Sequence, residues 1–215
     1  MRNVPLLYVE GRDDQWAILS LLEVNGIKLD KENGPVEIRQ AHSVGEMIDC
    51  LETFVKAAQS SNMAIGFVLD IDLDVDSRWQ SICARLARLG IVCDRSALTP
   101  DGAIIHGRSG LIGFWLMPDN ESHGGKLEDF LRTLVKADDQ SFPISQEYVK
   151  NVAETVAVDA RFRDVDIGKA EMSSWLAVQD PPGEPYGTAI KAKILGSESP
   201  VARRFISWFK RLYAV

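Results

Sequence analysis

The run Ala64-Ile65-Gly66-Phe67-Val68-Leu69 is apolar on every side and stops at Asp70-Ile71-Asp72-Leu73-Asp74, where three acidic residues occupy alternate positions. A strand without a polar face must be covered on both sides, as a central strand of a parallel sheet is covered by helices. Its carboxylates then stand at the open C-terminal end of the sheet, where α/β folds hold their ligands.

The flanking sequence repeats the same order. Leu6 to Val9 is a short apolar run that stops at Glu10-Gly11; Asp13-Asp14 then precede a helical pattern through Trp16, Leu19, Leu22 and Val24 that ends at Gly26. Val36 to Arg39 reads as a second strand, and Met47, Ile48, Leu51, Phe54 and Val55 mark an amphipathic helix. Trp79 to Leu89 has helical spacing and ends at Gly90. Ile91 to Cys93 and Ile104-Ile105 read as two further strands around the Pro100-Asp101-Gly102 turn. Leu111 to Met117 is another continuous apolar run, broken by Pro118-Asp119-Asn120, and Gly124-Gly125-Lys126-Leu127-Glu128-Asp129 opens a helix with acidic groups near its positive end.

After about Ala137 the strand pattern gives way to helical segments, at Glu147 to Val156, Ile167 to Val178 and Val201 to Tyr213, with a turn-rich stretch from Asp180 to Gly187. The last helix carries Phe205, Trp208, Phe209 and Leu212 on one face, with Arg203, Arg204, Lys210 and Arg211 largely outside it. The chain is therefore expected to be an α/β protein: residues 1–137 form a domain with a mostly parallel central sheet flanked by helices, and residues 138–215 a helical extension packed on it.

A net charge of −7 over 215 residues argues against coating nucleic acid by bulk charge, so a polyanion would be met locally. Cys50, Cys83 and Cys93 form neither a CxxC pair nor an even set, and buried reduced thiols in a cytoplasmic protein are expected. Met1-Arg2-Asn3-Val4-Pro5-Leu6-Leu7 holds no apolar stretch long enough for a signal peptide, and nothing later approaches a membrane span.

The motifs Leu7-Tyr8-Val9-Glu10-Gly11-Arg12-Asp13-Asp14 and Phe67-Val68-Leu69-Asp70-Ile71-Asp72 resemble the Toprim family of phosphodiester-processing domains. Phe114-Trp115-Leu116-Met117-Pro118-Asp119-Asn120, followed by Leu127-Glu128-Asp129-Phe130-Leu131, resembles DUF3226, a Toprim-related uncharacterised family of bacterial and phage proteins, with a weaker echo at Trp175-Leu176-Ala177 and Pro182-Gly183. The resemblance implies a Toprim-like, Rossmann-like fold. It also implies a Mg2+-dependent nuclease or related phosphodiester transferase acting on nucleic acid, in which Glu10 is the general acid or base and Asp70 and Asp72 hold Mg2+, or Mn2+ in its place. Hard carboxylate oxygens on neighbouring strand ends suit such an ion. Without it they repel one another and their pKa values rise.

Around this core, with Glu10 itself a further metal candidate, Asp74 extends the acidic run as a water-mediated ligand, Asp14 stands across the glycine turn from Glu10 to help orient it, and Asp14, Asp119 and Glu128 are secondary candidates. Arg12, Lys126, Arg78 and Arg108 fall near the expected C-terminal strand ends and are candidate phosphate contacts, whereas the basic residues of the last helix read first as a solvated face and second as phosphate contacts. Helix capping is the competing role for Asp13, Asp74 and Asp76. Trp175, Trp208 and Phe209 are either base-stacking or core residues. His42, His106 and His123 show no metal-ligand spacing, His123-Gly124-Gly125-Lys126-Leu127 lacks the first glycine and the hydroxyl of a phosphate loop, and no tyrosine is assignable as a covalent nucleophile.

Two other readings stand beside the nuclease. The first is a non-catalytic Toprim-fold subunit that binds metal or nucleotide and acts through a protein partner, in phage defence or mobile-element regulation. The second is a phosphatase of the haloacid-dehalogenase type, whose Asp-x-Asp-x-Thr opening is matched from Asp70 except that Asp74 replaces the threonine.

Overall fold

A computed structural model describes residues 4–29, 34–72 and 74–215. Residues 1–3 of the N-terminal segment and Leu73 of the acidic run lie outside the described residues.

Five strands form one sheet: β1 (Leu6–Val9), β2 (Glu37–Gln40), β3 (Ile65–Asp70), β4 (Ala103–His106) and β5 (Leu111–Met117). Their spatial order is β2-β1-β3-β5-β4; every pairing is parallel except β4 with β5. The all-apolar β3 is thus the middle strand, covered on both faces as its composition demands.

Side chains alternate between two cores. Tyr8, Phe67, Leu69 and Phe114 face α2 (Val44–Ser60) and α3 (Val75–Ala87), where Tyr8, Phe54, Phe67 and Phe114 stack in a row closed by Trp79 edge-on. Leu7, Val9, Val68, Trp115 and Met117 face the other side. That core is completed by α1 (Arg12–Val24), α4 (Leu127–Arg132), α6 (Ile167–Leu176), α7 (Tyr186–Lys191) and α8 (Pro200–Tyr213), while α5 (Ser141–Thr155) packs beside α6.

The C-terminal helix is seated in a notch made by small residues. Gly66 and Gly113 are direct partners across β3 and β5. A Cβ on Gly66 would come within 2.5 Å of Tyr213 Oη, and one on Gly113 closer still to Leu212. Phe205, Trp208 and Phe209 are fully buried there, each worth roughly 1.5–3 kcal/mol of apolar transfer. Trp208 Nε1 donates to Ala103 O at 3.1 Å and Tyr213 Oη to Leu6 O at 2.7 Å, so the indole and phenol remain hydrogen-bonded in the core.

Three sequence expectations are corrected. Ile91 to Cys93 is not a strand but a connection into a 3-10 turn at Arg95–Ala97. Cys83 and Cys93 are joined in a disulfide, leaving Cys50 free, because the connection folds back onto α3. The turn-rich stretch runs into a helix, α7, whose Gly187 lies against the backbone of α1: a Cβ there would sit 2.7 Å from Trp16 O. No helix among the described residues is long and apolar enough to cross a membrane.

Candidate functional site

Parallel pairing of β1 with β3 brings their C-terminal ends side by side. Glu10, the first residue past β1, accepts a hydrogen bond at Oε1 from the backbone N–H of Asp70 at 2.8 Å. Asp70 ends β3, and its Oδ1 is buried without a hydrogen-bond partner.

Two helix starts bring in further carboxylates. In the first turn of α1, Asp14 Oδ2 accepts from the Gly11 N–H at 3.1 Å, fixing the turn that follows Glu10. In the first turn of α4, Asp129 Oδ2 plays the same part toward the Lys126 N–H at 2.9 Å, and Glu128 sits beside it. The approach of α4 is set by a backbone clamp. Asp72 N–H donates to Gly125 O at 3.2 Å, and Gly125 N–H returns the bond to Asp72 O at 3.3 Å. Gly125 has φ 145° and a Cβ would meet Pro118 Cδ at 2.6 Å, so only glycine fits the clamp.

The result is a solvent-open cleft of about 380 Å³. Glu10, Asp14, Asp70 and Glu128 line it, with Arg12 and Lys126 on its walls. Its electrostatics follow from crowding like charges in a partly desolvated space. Burial, then Glu10 and Asp14, push the Asp70 carboxyl up to about 9. Burial raises Glu10 to about 7, the Asp70 N–H bond opposing it and Asp14 and Asp72 adding to it. Asp14 rises to about 6, also through burial first, and Glu128 is raised by burial against the pull of Lys169 and Lys126.

The remaining sequence candidates lie elsewhere. Asp72 adopts a left-handed backbone (φ 62°) and its carboxylate pairs with Arg78 at 2.5 Å, outside the cleft lining, although its charge still acts on Glu10 and Asp70. Asp74 caps α3 by accepting from Ser77 N at 2.8 Å. Asp119 Oδ1 closes its own turn, accepting from the N–H groups of Glu121 and Ser122 at 3.0 and 2.8 Å. Arg108 falls at the opposite edge of the sheet, because β4 runs antiparallel and ends beside the start of β5. On α8, Arg204 pairs with Glu121 and Arg211 donates to Asp101 O. Trp175, Trp208 and Phe209 are core residues, not platforms for bases.

Several lining residues carried no sequence signal. Asp166 and Lys169 come from the C-terminal third and close one wall; Lys169 stands 3.8 Å from Asp13. His42 reaches the rim from the end of β2 with φ 66°, a conformation that costs a non-glycine residue about 1–2 kcal/mol.

The donor set suits a hard divalent cation. Its oxygen donors are carboxylates, one buried oxygen has no donor, and burial and then the neighbouring carboxylates disfavour ionisation of Asp70. Among the described residues no three His, Cys, Asp or Glu side chains are drawn into a closed ligand set; the carboxylates stand around the cleft.

A family model described as a protein of unknown function, DUF3226, matches residues 4–214, through both the sheet and the helical C-terminal region. No curated protein and no solved structure gives a significant match.

Proposed function

The chain belongs to the DUF3226 family, and from its acidic cleft we propose that it is a divalent-cation-dependent phosphodiesterase of the Toprim type acting on nucleic acid. The observation that carries this reading is the Glu10–Asp70 pair on adjacent strand ends: the Asp70 backbone N–H donates to Glu10 Oε1 at 2.8 Å, and the buried Asp70 Oδ1 lacks a donor.

Asp70 would hold Mg2+ or Mn2+, with Asp14 and Glu128 across the cleft and Glu10 beside it. When bound, such an ion neutralises charge that builds on a phosphodiester. Glu10 supplies proton transfer: Oε1 is occupied by the Asp70 N–H, which leaves Oε2 to exchange a proton, and burial raises its pKa to about 7 in the metal-free site. Arg12 and Lys126 on the cleft walls position phosphate oxygens, and the N-terminus of α1 adds its positive end.

Engagement of Asp72 by Arg78 favours one second reading, a subunit that binds the ion and a phosphate without cleavage and acts through a protein partner. Incubation of the chain with single-stranded and duplex DNA and RNA in Mg2+ or Mn2+ separates the two. Metal-dependent cleavage that falls by about 10²–10⁴ in both Glu10→Gln and Asp70→Asn supports the phosphodiesterase. Binding without cleavage supports the partner subunit. Cleavage at full rate in both variants excludes this site.

A further inference from the structure

Beside the acidic cleft lies a second one, of about 450 Å³, between α1 and α7. Arg12 and Asp13 line both, so the first turn of α1 is a wall common to the two clefts. Trp16, Pro185, Tyr186, Thr188 and Lys191 surround the second space. Its size falls within the roughly 300–1,000 Å³ of small-molecule sites.

Its lining differs from that of the first cleft. Of the five tryptophans in the chain, Trp79, Trp115, Trp175 and Trp208 are at most 1% exposed, whereas Trp16 is 46% exposed. Arg12 and Trp16 stand four residues apart on α1 and therefore share a face. Among the described residues no carboxylate stands within ion-pair distance of Arg12, while Lys191 is held by Glu23 at 2.6 Å. An unpaired guanidinium beside an open indole is complementary to a phosphate with an unpaired base attached.

We propose that the Trp16 cleft is a nucleobase subsite: a single-stranded nucleic acid lays one base against Trp16 while Arg12 holds the adjoining phosphate at the mouth of the acidic cleft. The inference rests on the phosphodiesterase reading for the direction of the strand into that cleft. It selects unpaired substrate, because a base inside a duplex has no face to offer the indole. DNA and RNA share the recognising chemistry.

The test uses intrinsic fluorescence, to which Trp16 contributes the solvent-open indole. The full chain and its Asp70→Asn variant are titrated with a short single-stranded DNA, the RNA of the same sequence, a duplex, and an abasic DNA of equal length. Base-dependent quenching by the DNA or the RNA is expected, with little from the duplex or the abasic strand. Trp16→Leu should abolish the quenching and weaken binding about tenfold, the loss of one base stack at about 1.4 kcal/mol, and Trp16→Phe should recover most of the affinity. Equal binding of the abasic strand, or unchanged affinity in Trp16→Leu, overturns the subsite. Base-dependent binding without cleavage keeps the subsite and sinks the phosphodiesterase; cleavage with an unchanged KM in Trp16→Leu does the reverse.

Discussion

The backbone N–H of Asp70 donates to Glu10 Oε1 at 2.8 Å, tying two strand ends that are 60 positions apart in the chain. The bond fixes one Glu10 oxygen at the end of β3, where the Glu10 charge raises the Asp70 pKa. Burial of the two strand ends, with the charges that sheet register and the first turn of α1 place beside them, creates the electrostatic tension of the cleft.

That tension gives the metal-free protein an unusual pH dependence. Folded-state pKa values of about 7 for Glu10 and about 9 for Asp70 lie above their unfolded values, so the folded chain binds more protons in between. Their contribution to stability is complete below about pH 4 and is lost as pH rises through 7 and then 9. The melting temperature without metal should therefore fall from pH 6 to pH 9, by about 2–4 °C per kcal/mol lost. Asp70→Asn should flatten the decline, as thermal unfolding across that range will show.

Asp74 and Glu128 should separate under mutation. Asp74 caps α3 outside the cleft, so Asp74→Ala should lower the melting temperature and leave Mn2+ affinity unchanged. Glu128→Gln should do the opposite, weakening Mn2+ binding while the metal-free protein unfolds at the same or a higher temperature, because a repelling charge is gone. Paired melting curves and metal titrations check both.

The clamp between Asp72 and Gly125 should be intolerant of a side chain. Gly125→Ala forces a Cβ onto Pro118 at a left-handed backbone position, and the expected cost is about 1–3 kcal/mol in denaturant unfolding. It should also weaken metal binding, because the clamp sets where α4 presents Glu128.

Much of this architecture was legible in the sequence. The apolar run before Asp70 identified the middle strand, and Glu10 and Asp70 follow from reading where strands end. Asp72 and Asp74 were harder, because alternate acidic positions after a strand look equivalent until backbone dihedrals and caps distinguish them: one turns toward Arg78 and the other caps α3. The wall formed by Asp166 and Lys169 and the exposure of Trp16 against α7 depend on long-range packing that no local pattern encodes. Arg108 was misassigned because spacing does not reveal that β4 runs antiparallel.

The seat of α8 is open to test by adding one methyl group. Gly113→Ala places a Cβ into Leu212 and Trp208, and overpacking there should cost about 1–3 kcal/mol in denaturant unfolding. Because α8 closes the core shared by the sheet and the helices, one cooperative transition is expected, shifted as a whole.

Calorimetric titration of the metal-free chain with Mn2+ at pH 6, 7, 8 and 9 tests the central claim most directly. The account predicts one site whose affinity rises with pH, by up to about tenfold per unit for each proton displaced, and which is lost in Asp70→Asn and strongly weakened in Glu10→Gln. Binding that is independent of pH, or equal in the wild type and both variants, would contradict it.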